Sequence, residues 1–224
     1  MDLTAVPGVP ETALGAEDAA VLAEAAPPAP WRLELGAVMW LSWPGRGAAR
    51  HLSPALRAGA RVLLAGGGLV RYADTPVGPY AEALAATVVV RDGRVALHVP
   101  FMAVDSARSV VGGRRNWSLP KVLARFEGEP SAGTEMSARG EGWEMRVSAR
   151  PVGPRIPFRA RVSLLQPWPD GCVRTARGRL AGRARLARTS VEARGGPELR
   201  RWVGSGSRLG VVVEGVHGEL TPAE

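Results

Sequence analysis

The sequence predicts one β-rich α+β domain, and three observations predict it. Short runs of alternating apolar and polar residues recur from Trp31 onward. Arg91-Asp92-Gly93 supplies a hairpin turn between two of those runs. Helix candidates are few and short, and neither a repeat nor an internal linker divides the body of the chain.

Taken in order, residues 1–29 are rich in Ala, Pro, Glu and Gly and end in APPAP. They read as a flexible tail set apart from the core, with a short helix in EDAAVLAEAA, ahead of a domain over 30–224. Strands are expected near 33–42, 61–72, 79–91 and 94–103, with a short helix from Pro54 to Arg57. Asp105-Ser106 can cap a helix over Ala107 to Val111 that runs into Gly112-Gly113. Further strands are expected near 121–128, 134–139, 142–150, 157–165 and 172–194. A helix from Pro197 to Val203 and a strand near 209–215 complete the pattern. The glycines at 66–68 follow a strand but lack the later glycine and helix of a dinucleotide fingerprint, so they read as a bulge or tight bend.

The 224 residues are 46% hydrophobic and 22% charged, as expected of a globular chain with a sizeable core. No run of about 18 apolar residues suggests a membrane span. Met1-Asp2-Leu3 opens without a basic region, and the single cysteine, Cys172, excludes an internal disulfide framework; a cytoplasmic setting is expected. The net charge of +8 comes from arginines spread from Arg32 to Arg208, densest from Arg174 to Arg194. There Arg183, Arg185 and their neighbours alternate with small apolar residues, the pattern of a strand with one solvated face. No nucleic-acid-binding signature accompanies them, so no specific nucleic-acid partner is expected. His51, His98 and His217 are too scattered to predict a metal site.

Lys121 is the only lysine; the other 28 of 29 basic residues are arginine. Surface charge tolerates the exchange of lysine for arginine, whereas chemistry that needs a neutral amine does not, because a guanidinium stays protonated. Pro120 biases Leu119 toward extended geometry, so the lysine enters a strand from a stiff bend. Trp117, Leu119, Val122 and Leu123 offer apolar surroundings. Bringing a lysine pKa from about 10.4 to near 7 takes about 4 kcal/mol of discrimination against the charged form. Desolvation can supply it, helped by cations such as Arg114 or Arg115.

Two segments, YADTPVGPYAEAL over 72–84 and GGRRNWSLPK over 112–121, resemble the acetoacetate decarboxylase superfamily. There a strand carrying Tyr-x-Glu precedes a Gly-Arg helix and a Pro-Lys, and Glu82 and Lys121 stand 121 − 82 = 39 positions apart in this sequence. The resemblance implies a β-barrel or curved antiparallel sheet with a few short helices, and a homo-oligomer. It also implies a cofactor-free reaction in which Lys121 forms a Schiff base with a small keto acid. Glu82 then handles protons or orients substrate. Arg114 holds a substrate carboxylate or braces the helix end, and Arg115 and Trp117 are expected with it among the substrate-binding residues. Tyr80 donates a hydrogen bond or packs beside Glu82.

The sequence departs from the family at three points. Val122 stands where the decarboxylases carry a second lysine, and Arg115 where glutamate is common. The stretch LELGAVMWL has no counterpart of the family's N-terminal arginine. These departures leave aldol-type condensation or dehydration open beside decarboxylation, with a non-catalytic ligand-binding relative as the alternative.

Overall fold

The computed structural model describes residues 1–22, 25–130 and 134–224. Helix α1 (Ala16–Val21) precedes strands β1 (Trp31–Ser42), β2 (Ala60–Asp74), β3 (Tyr80–Arg91) and β4 (Arg94–Val104), with α2 (Pro54–Arg57) between β1 and β2. Helix α3 (Ala107–Trp117) leads into β5 (Lys121–Leu123), β6 (Arg125–Gly128), β7 (Glu135–Gly140), β8 (Trp143–Pro167) and β9 (Val173–Arg194). Helix α4 (Pro197–Val203) and β10 (Gly206–Leu220) follow.

The strands form one sheet in the order β5-β4-β3-β2-β1-β10-β9-β8-β7-β6. It curls until β4 also meets β8 at Leu97 opposite Leu164, which closes a ring of seven strands. This is the expected curved, barrel-like architecture. The predicted hairpin is present: Asp92 and Gly93 both have positive φ, and Arg91 pairs with Arg94, as a tight primed turn requires.

Alternation along the strands divides the apolar residues between two cores. One holds Trp40, Leu69, Val89 and Phe101 with Leu199 and Trp202 of α4. The other holds Val70, Tyr72, Tyr80, Leu84 and Met102, covered by Val110, Val111 and Trp117 of α3. Burying those three α3 side chains stabilises its docking by about 1.5–3 kcal/mol each at most.

Several expectations are corrected. The first 22 residues do not lie apart from the core: Leu3, Val6, Val9 and Leu22 are buried, and the Val9 N–H donates to the Pro100 carbonyl. The N-terminal helix is confined to Ala16–Val21, and residues 23–24 of the expected segment lie outside the described residues. Helix α3 continues through Gly112-Gly113 to Trp117. The two glycines serve close packing there, because a Cβ on Gly112 would lie 2.5 Å from the Trp31 ring. The expected strand 121–128 divides at Ala124, since β5 pairs parallel with β4 while β6 pairs antiparallel with β7. The two strands expected over 142–165 are one strand, β8, with an irregularity between Val152 and Ile156 that absorbs the breakers Gly153 and Pro154. Gly66 to Gly68 sit in regular pairing within β2, with the bulge displaced to Val62/Leu64. A Cβ on any of the three would strike Trp40 or Met39 of β1, so they let two strands pack tightly.

Candidate active site

The site lies where β3, β4 and α3 meet β5. Ser106 caps α3, its Oγ accepting from the Ser109 N–H at 3.2 Å. The helix stops at Ser118, which takes the left-handed conformation (φ 52°). The Leu119 N–H then returns to the Gly113 carbonyl, and β5 starts at Lys121 in register with Met102. This turn aims Lys121 back along α3. Gly113 makes room for it: a Cβ there would lie 2.6 Å from Lys121 Cδ and 2.7 Å from Cε.

Lys121 is only 3% exposed. Its Nζ donates to Glu82 Oε2 at 2.8 Å, to Ser109 Oγ at 2.9 Å and to the Tyr80 hydroxyl at 3.3 Å. The same ammonium stands 5.0 Å from the centre of the Tyr80 ring. Glu82, also buried, has its second oxygen Oε1 engaged by the Tyr72 hydroxyl at 3.1 Å. Tyr72 and Tyr80 are directly opposite on β2 and β3, and their rings stack at 4.4 Å. The Val70/Glu82 pair follows on the same face, so period-two alternation brings both tyrosines and the carboxylate to one place.

The electrostatics differ from the expected neutral amine. Burial pulls the Lys121 pKa down, but the Glu82 carboxylate and Tyr80 outweigh it and hold the amine above its ordinary value. Burial, with Glu82 beside them, raises both phenols, Tyr72 well above the ordinary value; Lys121 partly opposes the rise at Tyr80. The site therefore holds a charge pair, Lys121 with Glu82, withdrawn from water.

The other predicted residues have different places. Arg114 is fully buried, and each of its three nitrogens donates to a main-chain carbonyl: Nε to Lys121 at 2.7 Å, Nη1 to Leu3 at 2.6 Å and Nη2 to Thr12 at 2.7 Å. Burial lowers its pKa to about 10. These contacts join α3 to β5 and to the N-terminal segment. Arg115 is exposed, so it is not the cation expected beside the amine. Trp117 is occupied structurally, its indole N–H donating to the Thr221 carbonyl and its ring meeting Trp31 edge-on at 5.0 Å. Sequence reasoning missed Ser109 and Tyr72. Ser109 precedes Lys121 by 12 positions on a predicted helix, and Tyr72 opens the first motif segment, so position alone pointed toward both.

Comparison with known proteins finds the same fold in solved structures. The acetoacetate decarboxylase (ADC) family profile matches residues 48–152. No curated protein sequence matches the chain. Among solved structures, acetoacetate decarboxylase from Legionella pneumophila superposes with a TM-score of 0.62 at 16% identity, covering 90% of this chain and 88% of that one. A second acetoacetate decarboxylase gives 0.65 at 14% identity, with 90% and 91% covered. The enduracididine biosynthesis enzyme MppR, complexed with pyruvate, gives 0.64 at 15% identity, with 90% and 92% covered.

Proposed function

We propose that this chain, which has the acetoacetate decarboxylase-like fold, is an enzyme that forms a Schiff base between Lys121 and a small keto acid. One observation carries the reading. The only lysine in the sequence is buried with its amine 2.8 Å from a buried carboxylate 39 positions earlier. Apart from a His51–Glu198 contact, the other ion pairs among the described residues use arginine and are at least partly exposed, and a buried pair is costly to maintain for stability alone.

The proposed steps follow from the contacts. Glu82 Oε2 accepts a proton from the ammonium, which leaves a neutral amine with a free electron pair. That pair attacks the ketone carbon, and the carbonyl oxygen becomes the hydroxyl of a carbinolamine. Loss of that hydroxyl as water, with the proton returned from Glu82, gives a protonated imine. Ser109 and Tyr80 hydroxyls, both within reach of Nζ, stabilise the oxygen as it changes charge. The iminium then takes up an electron pair from the neighbouring carbon. In a β-keto acid the pair comes from the bond to the departing carbon dioxide, and in an α-keto acid from a C–H bond whose proton goes to Glu82. The enamine is protonated and hydrolysed, or adds to an aldehyde. Carbon–carbon lyase chemistry of either kind uses the same sink. Tyr72 holds Glu82 Oε1 so that the other oxygen faces the amine.

Product analysis with a panel of α- and β-keto acids, with and without aldehydes, tests the reading. Ketone plus carbon dioxide marks decarboxylation, a condensed acid marks aldol-type chemistry, and Lys121→Arg abolishes both. Tight ligand binding that survives Lys121→Arg with no product from any acid would instead favour a non-catalytic binding protein. The closed, charge-paired resting state of Lys121 is the observation on that side.

A further inference from the structure

The sheet face that carries Lys121 and Glu82 continues into an open apolar groove. Lys121, Met102, Leu84, Gly68, Met39 and Val211 are successive cross-strand partners from β5 to β10, so their side chains share one face. Glu82 opposite Val70 is the next pair to one side of this row, toward the tyrosines. Gly66 opposite Ala86 is the next pair to the other side, and there a groove of about 320 Å³ opens. Leu41, Leu64, Ala86, Leu186 and Leu209 line it, and every described residue lining it is apolar or glycine. Leu41, Leu186 and Leu209 are about half exposed, an uncommon cost for a sheet face unless something covers it.

Only one row of side chains separates this groove from the amine's partners. Met39 lies across Gly68, where a Cβ would meet its Sδ at 2.2 Å, and Leu84 flanks the same spot with Cγ at 3.6 Å. Both pack with the core that contains Tyr72 and Tyr80. A thioether side chain is unbranched and adapts its shape readily, which suits a partition that moves.

We propose that the groove binds a hydrocarbon arm of the keto acid, with Met39 as the partition that determines how far the arm extends. This rests on the Schiff-base reading and narrows it to keto acids bearing an alkyl or aryl arm longer than methyl. The ketone carbon sits at Nζ, and the arm passes Leu84 and Met39 to lie against Ala86, Leu64 and Leu186. Continuity with the lysine's own face of the sheet, and the absence of any charged group among the described lining residues, both favour such an arm over a polar ligand.

The test is a series of 3-oxo acids from four to ten carbons, trapped on the protein with borohydride, beside calorimetric titration with saturated carboxylic acids of the same lengths. Half-saturation is expected to fall about fourfold for each added methylene that enters the groove. Ala86→Phe, which fills the groove, is expected to remove that dependence, while Met39→Ala is expected to extend it to longer acids. Because the two variants move in opposite directions, misfolding cannot imitate the pair. Adducts that form with no dependence on length overturn the groove and leave Lys121 standing. Length-dependent binding of saturated acids with no adduct from any keto acid overturns the Schiff base and retains the groove. A groove occupied by a second copy of the chain would show no length dependence, and Ala86→Phe would change the sedimentation coefficient; that result also overturns the proposal.

Discussion

Lys121 Nζ and Glu82 Oε2 are 2.8 Å apart with both side chains almost wholly withdrawn from water. The pair is held at each end, Lys121 by Ser109 and Tyr80 and Glu82 by Tyr72. Removing one member of such a pair leaves the other charge buried and unpaired. Lys121→Met is expected to cost about 3–5 kcal/mol of stability, and Lys121→Met with Glu82→Gln much less. A folded pKa raised above its ordinary value of 10.5 contributes stability that is complete below that pH and is lost as pH rises through the folded value. Denaturant titrations should therefore show the gap between wild type and Lys121→Met constant near neutrality and narrowing only in strong alkali.

Gly113 makes a sharper test of the site than of the fold. Alanine is a better helix residue than glycine by about 1 kcal/mol, yet here its Cβ would meet the Lys121 stem. Gly113→Ala should leave the melting temperature within a few degrees of wild type while imine formation slows at least tenfold. Circular dichroism and borohydride trapping measure the two separately.

Arg114 ties three distant carbonyls together, those of Lys121, Leu3 and Thr12. Arg114→Met strands all three and should cost about 3 kcal/mol or more. The first 22 residues should then become open to proteolysis, and trapping at Lys121 should slow more than half-saturation changes. Loss of substrate affinity alone, with the N-terminal segment still protected, would return Arg114 to the role of a carboxylate-binding group.

Much of this was legible in the sequence. The two motif segments placed Glu82 and Lys121 in one site, and the turn, most strands and α4 lie close to their expected positions. What escaped depends on contacts between distant segments. The burial of Leu3 and Val9 could not be read from an Ala/Pro-rich composition, because it is created by Arg114 and Pro100 more than ninety positions away. Gly112-Gly113 read as a helix stop because glycine is a poor helix residue, and only Trp31 and the lysine stem explain why nothing larger fits. The apolar run around Lys121 suggested a depressed pKa. Burial does press the pKa down, but the charges and hydrogen bonds of Glu82 and Tyr80 together outweigh it and reverse the sign.

His98 supplies a pH dependence outside the site. It is buried against Gln166, Nδ1 to Oε1 at 2.5 Å, and burial holds its pKa down to about 4, against an ordinary 6.5. The unfolded chain binds the proton first, so this contribution to stability is complete above about pH 6.5 and is lost as pH falls toward 4. It amounts to about 3 kcal/mol across that window. Replacing His98 with asparagine should flatten the acid limb of the stability profile measured by urea unfolding.

The most direct test of the central claim is borohydride trapping followed by peptide mass spectrometry. Lys121 is the only lysine in this sequence, so the site of an adduct is read from a single side-chain amine. The reduced keto-acid adduct is expected on the peptide containing Lys121, in one-to-one stoichiometry, and absent from Lys121→Arg. An adduct confined to peptides without Lys121, or no adduct from any α- or β-keto acid with the protein folded, would contradict the account.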